Sequence, residues 1–185
     1  MTSLFHSTTE VLACLSQGGV IAYPTEGVFG LGCEATDAEA CERIVALKQR
    51  SLSQGMIVLV SEWSQVATWI KPLTAAQQQR LDSADDDFIT WLMPASESAP
   101  VWLTGGQQTL AVRRPTWPPL LQLCHDYGRP LVSTSANPHG LPAVTTVGEV
   151  LAYFNDDIDA CWDHPCGGYG RPSSIISLLS GEQLR

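Results

Sequence analysis

The order of apolar and polar positions along the chain changes repeatedly between helical and strand patterns. Residues 8–18 place apolar side chains at helical spacing after a threonine and stop at a Gly-Gly pair, which predicts a first helix with a threonine cap. Residues 36–50 show the same spacing, with Thr36 as the predicted N-cap, Glu39 three residues later and two cations near the end. Further helical patterns cover residues 66–70, 74–81 and 117–127.

Short runs of apolar and β-branched residues lie between these helical segments. Residues 20–23 and 56–60 are typical of buried strands, and further strand candidates cover 88–93, 109–113 and 130–133. Helices and strands alternate without a repeat, a low-complexity segment or a linker. This pattern predicts a single α/β domain over residues 1–185, with a twisted, mixed β-sheet flanked by helices.

The composition is that of a globular domain and limits the classes of partner. The apolar fraction is 44%, and no apolar run approaches the roughly 18 residues of a membrane span. The first residues lack a basic segment followed by an apolar one, so a cytoplasmic location is predicted. The net charge of −9 argues against an extended nucleic-acid surface, because phosphate binding requires clustered Lys and Arg.

Cysteines and aspartates are potential metal ligands, but neither group forms a strong pattern. The six cysteines include no CxxC pair and are interpreted as reduced thiols. Cys161, His164 and Cys166 lack a fourth ligand at zinc-finger spacing, so ordinary loop residues are favoured over a metal site. The acidic runs at 82–87 and 156–159 are interpreted as solvated loops or turns, with a metal site the less favoured alternative.

Four polar segments end predicted strands or helices, where α/β sheets place ligand sites. In the first, residues 23–32, three glycines accompany Thr25 and Glu26, although a plain strand-ending turn is the simpler explanation. In the second, Lys48 and Arg50 lie at the end of a predicted helix. They could bind a polyphosphate, or they could merely complement the helix dipole at its C-terminal end.

The third and fourth segments follow predicted strands. Residues 133–137 contain three hydroxyl side chains and Asn137, which could cap backbone groups or hydrogen-bond phosphate oxygens. Arg113 could bind a carboxylate or phosphate, or form a surface salt bridge. The P-loop, GxGxxG, GxSxG and HExxH motifs are absent from the sequence. The residues alone therefore indicate an anion-binding α/β domain.

Taken in order, these segments closely resemble the YrdC family in its short, single-domain bacterial form. The matching motifs, within residues 20–177, are YPTE at 23–26 with FGLG at 29–32, KQR at 48–50, LAVR at 110–113 and STSAN at 133–137. The resemblance implies an α/β fold with a concave ligand site over a twisted sheet. It also implies synthesis of threonylcarbamoyl-AMP and pyrophosphate from L-threonine, bicarbonate and ATP. Separate transferase proteins would then modify an adenosine of tRNA, and direct contact with tRNA stays open.

The resemblance further implies roles for individual residues. Thr25 and Arg113 would bind threonine, with Arg113 facing its carboxylate. No enzymic nucleophile is needed, because positioning and charge neutralisation carry most of such a transfer. A magnesium ion bridging the phosphates is expected, without an obvious set of protein ligands. The residues implied for ATP are Lys48 and Arg50 (the family's KxR), Ser135 and Asn137 (its SxN), and Ser174, at the family's Ser-Thr pair.

The chain departs from the family pattern in two places. The KxR motif often continues with Pro and a further Lys, where this chain has Ser51 and Gln54. The family's Trp-Pro-Gly-Pro run is replaced by the aspartate-rich residues 84–87, followed by Thr90. Two alternatives remain: the same fold binding tRNA or double-stranded RNA without making an adenylate, or a carbamoyl-adenylate enzyme of hydrogenase maturation with an acceptor other than threonine.

Overall fold

The computed structural model describes residues 1–83 and 88–185, and it is a mixed α/β fold. Residues 84–87, which hold most of the first acidic run, lie outside the described residues. The helices within the described part are α1 (Thr8–Ser16), α2 (Ala38–Lys48), α3 (Ala75–Asp82), α4 (Val101–Thr104), α5 (Pro118–Tyr127) and α6 (Val147–Phe154). The strands there are β1 (Ser3–Phe5), β2 (Ile21–Pro24), β3 (Phe29–Gly32), β4 (Ile57–Leu59), β5 (Ile89–Pro94), β6 (Thr109–Arg113), β7 (Leu131–Ser135), β8 (Ala160–Trp162) and β9 (Ser174–Ser177).

The described strands join one sheet in the order β1-β8-β2-β3-β7-β4-β6-β5-β9. Strands β2, β3, β7 and β4 pair antiparallel in succession, whereas β4 with β6 and β5 with β9 are parallel. The expected mixed α/β class is therefore confirmed.

Helices cover both faces of the sheet because the strands are buried on both sides. Along β2, Ala22 packs in an apolar cluster with Ile44 of α2, while Ile21 and Tyr23 pack in a second cluster with Leu120 of α5. Side chains alternate between faces along a strand, so neighbouring residues enter different clusters. The predicted flanking helices follow from this two-sided burial.

The predicted caps of the first two helices are wrong by one residue. Ser7, not a threonine, caps α1 in a capping box with Glu10. Asp37, not Thr36, caps α2, and its carboxylate accepts a hydrogen bond from the Ala40 amide at 3.0 Å. At the start of each helix, two adjacent residues have side chains that can cap it. The residue that caps is the one whose backbone is extended immediately before the first helical residue.

Two other local predictions also need correction. The α-helix predicted at 66–70 is not formed. A short 3₁₀ helix, Trp63–Val66, ends where this pattern begins, and turn residues follow it. The segment 23–32 contains a strand as well as a turn, since β3 pairs with β2 in a hairpin. Glycines at two positions of β3 hid this strand in the sequence, and one of them, Gly32, is required by close packing: a Cβ there would lie 2.2 Å from the Val132 carbonyl oxygen.

All six cysteines lie in the described residues and are free thiols in the structure. Cys161 is a buried strand residue of β8 rather than a loop residue, because its apolar neighbours pair in the sheet. No cluster of His, Cys, Asp and Glu suited to a metal occurs in the part of the chain that the structure describes. In the same part, every helix is too short or too polar to cross a bilayer.

Replacing Gly32 by alanine should lower the free energy of unfolding by about 1–3 kcal/mol through overpacking. The added methyl group would lie 2.2 Å from the Val132 oxygen and 2.5 Å from the ring of Tyr23. Urea denaturation followed by circular dichroism measures the loss. The control is Gly148→Ala in α6, where no atom lies within 4 Å and alanine favours the helix. Equal free energies of unfolding in the two variants would contradict the close packing around Gly32.

Candidate functional site

A cavity of about 690 Å³ opens over the central strands of the sheet. The strand register places Gly30 beside Ser135, Ser133 beside Ile57, and Ile57 beside Ala111. Directly paired residues point to the same face, so these side chains form one continuous floor. All of them line the cavity, which is therefore built from strands β3, β7, β4 and β6.

The polar segments singled out in the sequence converge on this cavity. Residues from four distant stretches of the chain form its walls, so the anion-binding segments share one space. The implied site residues that line it are Thr25, Lys48, Arg50, Arg113, Ser135 and Asn137.

Lys48 is buried at the C-terminus of α2, with only 5% of its surface exposed. Its ammonium group donates to the carbonyl oxygens of Ser135 at 2.5 Å and Asn137 at 2.8 Å, and lies 3.4 Å from the Asn137 amide oxygen. These acceptors lie outside α2, so more than the helix dipole accounts for its position. Burial, assisted by the nearby charge of Arg50, lowers the pKa of Lys48 to about 8.

Arg50 reaches the same cavity because the helix ends between the two cations. Residues two apart on a continuous helix point away from each other, but Gln49 adopts a left-handed conformation, with φ of 50°, and ends α2. The Arg50 guanidinium donates to the Gly55 carbonyl at 2.7 Å and to the Thr134 hydroxyl at 3.3 Å. Its Nε is buried without a partner among the described residues, and burial lowers the pKa of the group.

The end of β7 presents hydroxyl groups to the cavity, and the loop that follows it is held at the cavity wall. Ser133 and Thr134 are buried, and Ser135 is partly exposed at the end of the strand. The Asn137 amide donates to the Leu141 carbonyl at 2.6 Å, which closes the following turn. The hydrogen bonds of Lys48 and of the Asn137 side chain therefore both hold this loop in place.

The turn after β2 carries Thr25 and Glu26. The Thr25 hydroxyl donates to the Val28 carbonyl at 2.7 Å, so the side chain is fixed at the cavity wall. Gly167 and Tyr169 donate their amides to the carbonyls of Thr25 and Glu26, both at 2.9 Å. The segment following β8 is therefore anchored to this turn.

Arg113 forms a buried ion pair rather than a surface salt bridge. Its Nη1 donates to Oε2 of Glu26 at 2.6 Å, and both side chains are almost inaccessible to solvent. The guanidinium also lies over the ring of Phe88, 5.4 Å from its centroid. Because Arg113 lines the cavity, its remaining donors can meet an anion there.

Ser174 does not line the cavity, whereas its neighbour Ser173 does. Ser174 is the first residue of β9 and pairs with Ile89 of β5. Consecutive side chains on an extended chain point in opposite directions, which favours Ser173 as the cavity residue. The Ser173 hydroxyl lies 2.7 Å from that of the buried Thr90, one of the positions where the chain departs from the family pattern.

Sequence reasoning missed Arg185, whose side chain also lines the cavity. Its guanidinium donates to the Ser173 carbonyl at 3.0 Å, and the Leu184 amide donates to the Ile175 carbonyl at 2.8 Å. The tail therefore folds back along β9. No spacing in the sequence signals this return, because it depends on pairing in the folded chain.

Within the described residues, the cavity wall has four cationic side chains and no Asp or Glu. The four are Lys48, Arg50, Arg113 and Arg185. Gln54, which stands where the family often has a lysine, also lines the wall. The cavity therefore favours anionic ligands, although the chain as a whole is acidic.

Comparisons with known proteins show which family the chain matches. The sequence model of the family described as Sua5/YciO/YrdC, telomere recombination, matches residues 13–185. The chain is 39% identical to the threonylcarbamoyl-AMP synthase of Pseudoalteromonas translucida over 94% of both chains. It is 44% identical to that of Halorhodospira halophila over 92% of this chain and 90% of the relative.

Solved structures give the same result for the fold. P. abyssi Sua5 in complex with L-threonine superposes with a TM-score of 0.87 at 26% identity, over 99% of this chain and 56% of the Sua5 chain. E. coli YciO superposes with a TM-score of 0.79 at 22% identity, over 100% of this chain and 97% of YciO. Together, the motifs, the shared cavity and the nearly full-length matches establish that the chain belongs to the Sua5/YciO/YrdC family.

Proposed function

We propose that this protein is a threonylcarbamoyl-AMP synthase, which makes threonylcarbamoyl-adenylate and pyrophosphate from L-threonine, bicarbonate and ATP. The observation that carries the proposal is the convergence of Lys48, Arg50 and Arg113 with the hydroxyl-rich end of β7 and the loop that follows it on one cavity. Curated relatives of this name match the chain over nearly its whole length. The cavity volume also lies in the range of small-molecule sites.

The ATP phosphates are assigned to the wall formed by the end of α2 and the loop after β7. Arg50 supplies a guanidinium, and Lys48 supplies positive charge while ordering the carbonyls of Ser135 and Asn137. The Ser135 hydroxyl is a further donor at this wall. Ser173 rather than Ser174 is positioned to contact a bound substrate.

Threonine is assigned to the neighbouring wall, beside Thr25 and Arg113. The Arg113 guanidinium keeps donors beyond the one given to Glu26, and an arginine fork matches a carboxylate. The two substrates are then neighbours in one cavity.

The reaction needs positioning and charge neutralisation more than a nucleophilic side chain. The threonine amine joins the carbon of bicarbonate and water leaves, which gives a carbamate. A carbamate oxygen then attacks the α-phosphorus, and the bond to the pyrophosphate leaving group breaks. Both reactants are anions, so a wall with cationic residues and no Asp or Glu side chain among the described residues reduces their repulsion.

A magnesium ion would enter with ATP rather than occupy a protein-built metal site. The described cavity wall has no Asp or Glu side chain, and the nearby Glu26 carboxylate is taken by Arg113 and the Thr116 amide. The expected bridging ion would therefore be held by phosphate oxygens and water.

The product would pass to separate threonylcarbamoyl transferase proteins that act on tRNA. The alternative of an RNA-binding module is not favoured, because the relatives are named as synthases and four of the ten Lys and Arg residues line the cavity. A carbamoyl-adenylate enzyme with another acceptor would release pyrophosphate without threonine, which distinguishes it from the proposed synthase.

Pyrophosphate release should require threonine, bicarbonate and ATP together, because the adenylate contains all three. A coupled pyrophosphate assay with each substrate omitted in turn measures this requirement. Loss of signal in every omission supports the proposal. Turnover without threonine would indicate another acceptor, and RNA binding without turnover would indicate the binding module.

The variants Lys48→Ala and Arg50→Ala should each weaken ATP binding roughly 10- to 100-fold, since a charge-assisted contact contributes about 1.5–3 kcal/mol. Calorimetric titration with ATP measures the change. Lys71→Ala removes an exposed lysine and serves as the control. Unchanged ATP affinity in both cavity variants would remove the phosphate assignment from this wall.

ATP binding should weaken several-fold between pH 7.5 and pH 9, because the lowered pKa of Lys48, about 8, lets its charge disappear in this interval. Titrations without threonine isolate the effect from ionisation of the substrate amine. In Lys48→Arg the decline should disappear, since arginine stays protonated. An equal decline in both proteins would assign the titration to another group.

A further inference from the structure

The Glu26 carboxylate is completely buried and receives hydrogen bonds from two donors. Arg113 Nη1 lies 2.6 Å from one carboxylate oxygen, and the Thr116 amide lies 3.1 Å from the other. A buried carboxylate is costly without such partners. Both oxygens are therefore fixed, one by a side chain of β6 and one by the backbone that follows β6.

Glu26 is not part of the cavity wall, whereas Arg113 is. The guanidinium thus lies between the buried carboxylate and the cavity. The backbone of Glu26 is also held, because its carbonyl accepts the Tyr169 amide at 2.9 Å. Of the two groups that donate to the Glu26 carboxylate, Arg113 lines the cavity and Thr116 does not, so Arg113 is the direct route by which Glu26 can affect a ligand.

The ion pair restricts the rotation of Arg113. One Nη nitrogen is held by Glu26, and the guanidinium lies 5.4 Å from the centroid of the Phe88 ring. An arginine carries five N–H donors in a rigid plane, so fixing one nitrogen and one face determines where the remaining donors point.

We infer that Glu26 is a positioning residue: it orients the Arg113 guanidinium so that its remaining donors receive the carboxylate of threonine. The inference rests on the proposed function, which assigns threonine to this wall. Glu26 then sets the affinity for the amino acid without touching it. The phosphate wall contains Lys48 and Arg50, which have no contact with Glu26, so ATP binding should be independent of it.

The test compares Glu26→Gln, Arg113→Gln and the double variant, with KM for threonine and for ATP measured separately. Glutamine keeps the size of the side chain and removes the charge. Glu26→Gln should raise KM for threonine about tenfold or more and leave KM for ATP within about twofold, because small misplacements of a positioning group have large effects. The double variant should match Arg113→Gln, since Glu26 acts only through Arg113.

Glu34→Gln provides the matched control. Glu34 also pairs with an arginine, Arg129, at 2.7 Å, but neither residue lines the cavity. The Glu34→Gln substitution should leave KM for threonine and KM for ATP unchanged.

Each other outcome has a definite meaning. An unchanged KM for threonine in Glu26→Gln, or an equal rise in both KM values, overturns the inference. A higher KM for threonine in the double variant than in Arg113→Gln also overturns the inference, because Glu26 would then contact threonine itself. If Arg113→Gln leaves KM for threonine unchanged, the proposed threonine site fails first. If Glu26→Gln does not fold, the double variant, which carries a neutral pair, replaces it. Comparing its KM for threonine with that of Arg113→Gln still decides whether Glu26 acts only through Arg113.

Discussion

Mutual repulsion among cations that share one cavity is the constraint around which this site is built. Lys48, Arg50, Arg113 and Arg185 all line the same space, and like charges in a partly buried setting repel. Each is held by an acceptor: main-chain carbonyls for three of them, and the buried Glu26 carboxylate, which does not line the cavity, for Arg113. The positive cavity is thus formed before any ligand arrives.

This preorganisation links the fold to the proposed chemistry. Donors fixed before the reaction need little rearrangement when negative charge accumulates, which is the main requirement for joining two anionic substrates. The same burial that fixes Lys48 also lowers its pKa to about 8. In the proposed function, affinity for a polyphosphate and sensitivity to pH therefore have one physical origin.

Many elements could be predicted from local pattern because their signals are local. Strand β6 and helix α5 were predicted almost to the residue, as apolar runs of the right period with clear ends. Strand β3 was missed because its glycines resemble a turn, although pairing with β2 and β7 makes it a strand. No element was predicted after residue 133, where the described strands β8 and β9 are short and depend on their partners.

The sequence by itself determined the alternation of helices and strands, the family resemblance and six of the seven implied site residues that line the cavity or were expected there, because these depend on local pattern and residue type. Only the tertiary structure decided that Glu26 pairs with Arg113, that Ser173 rather than Ser174 lines the cavity, and that Arg185 returns to it. These features depend on strand register and chain reversal, which bring together side chains from distant parts of the sequence.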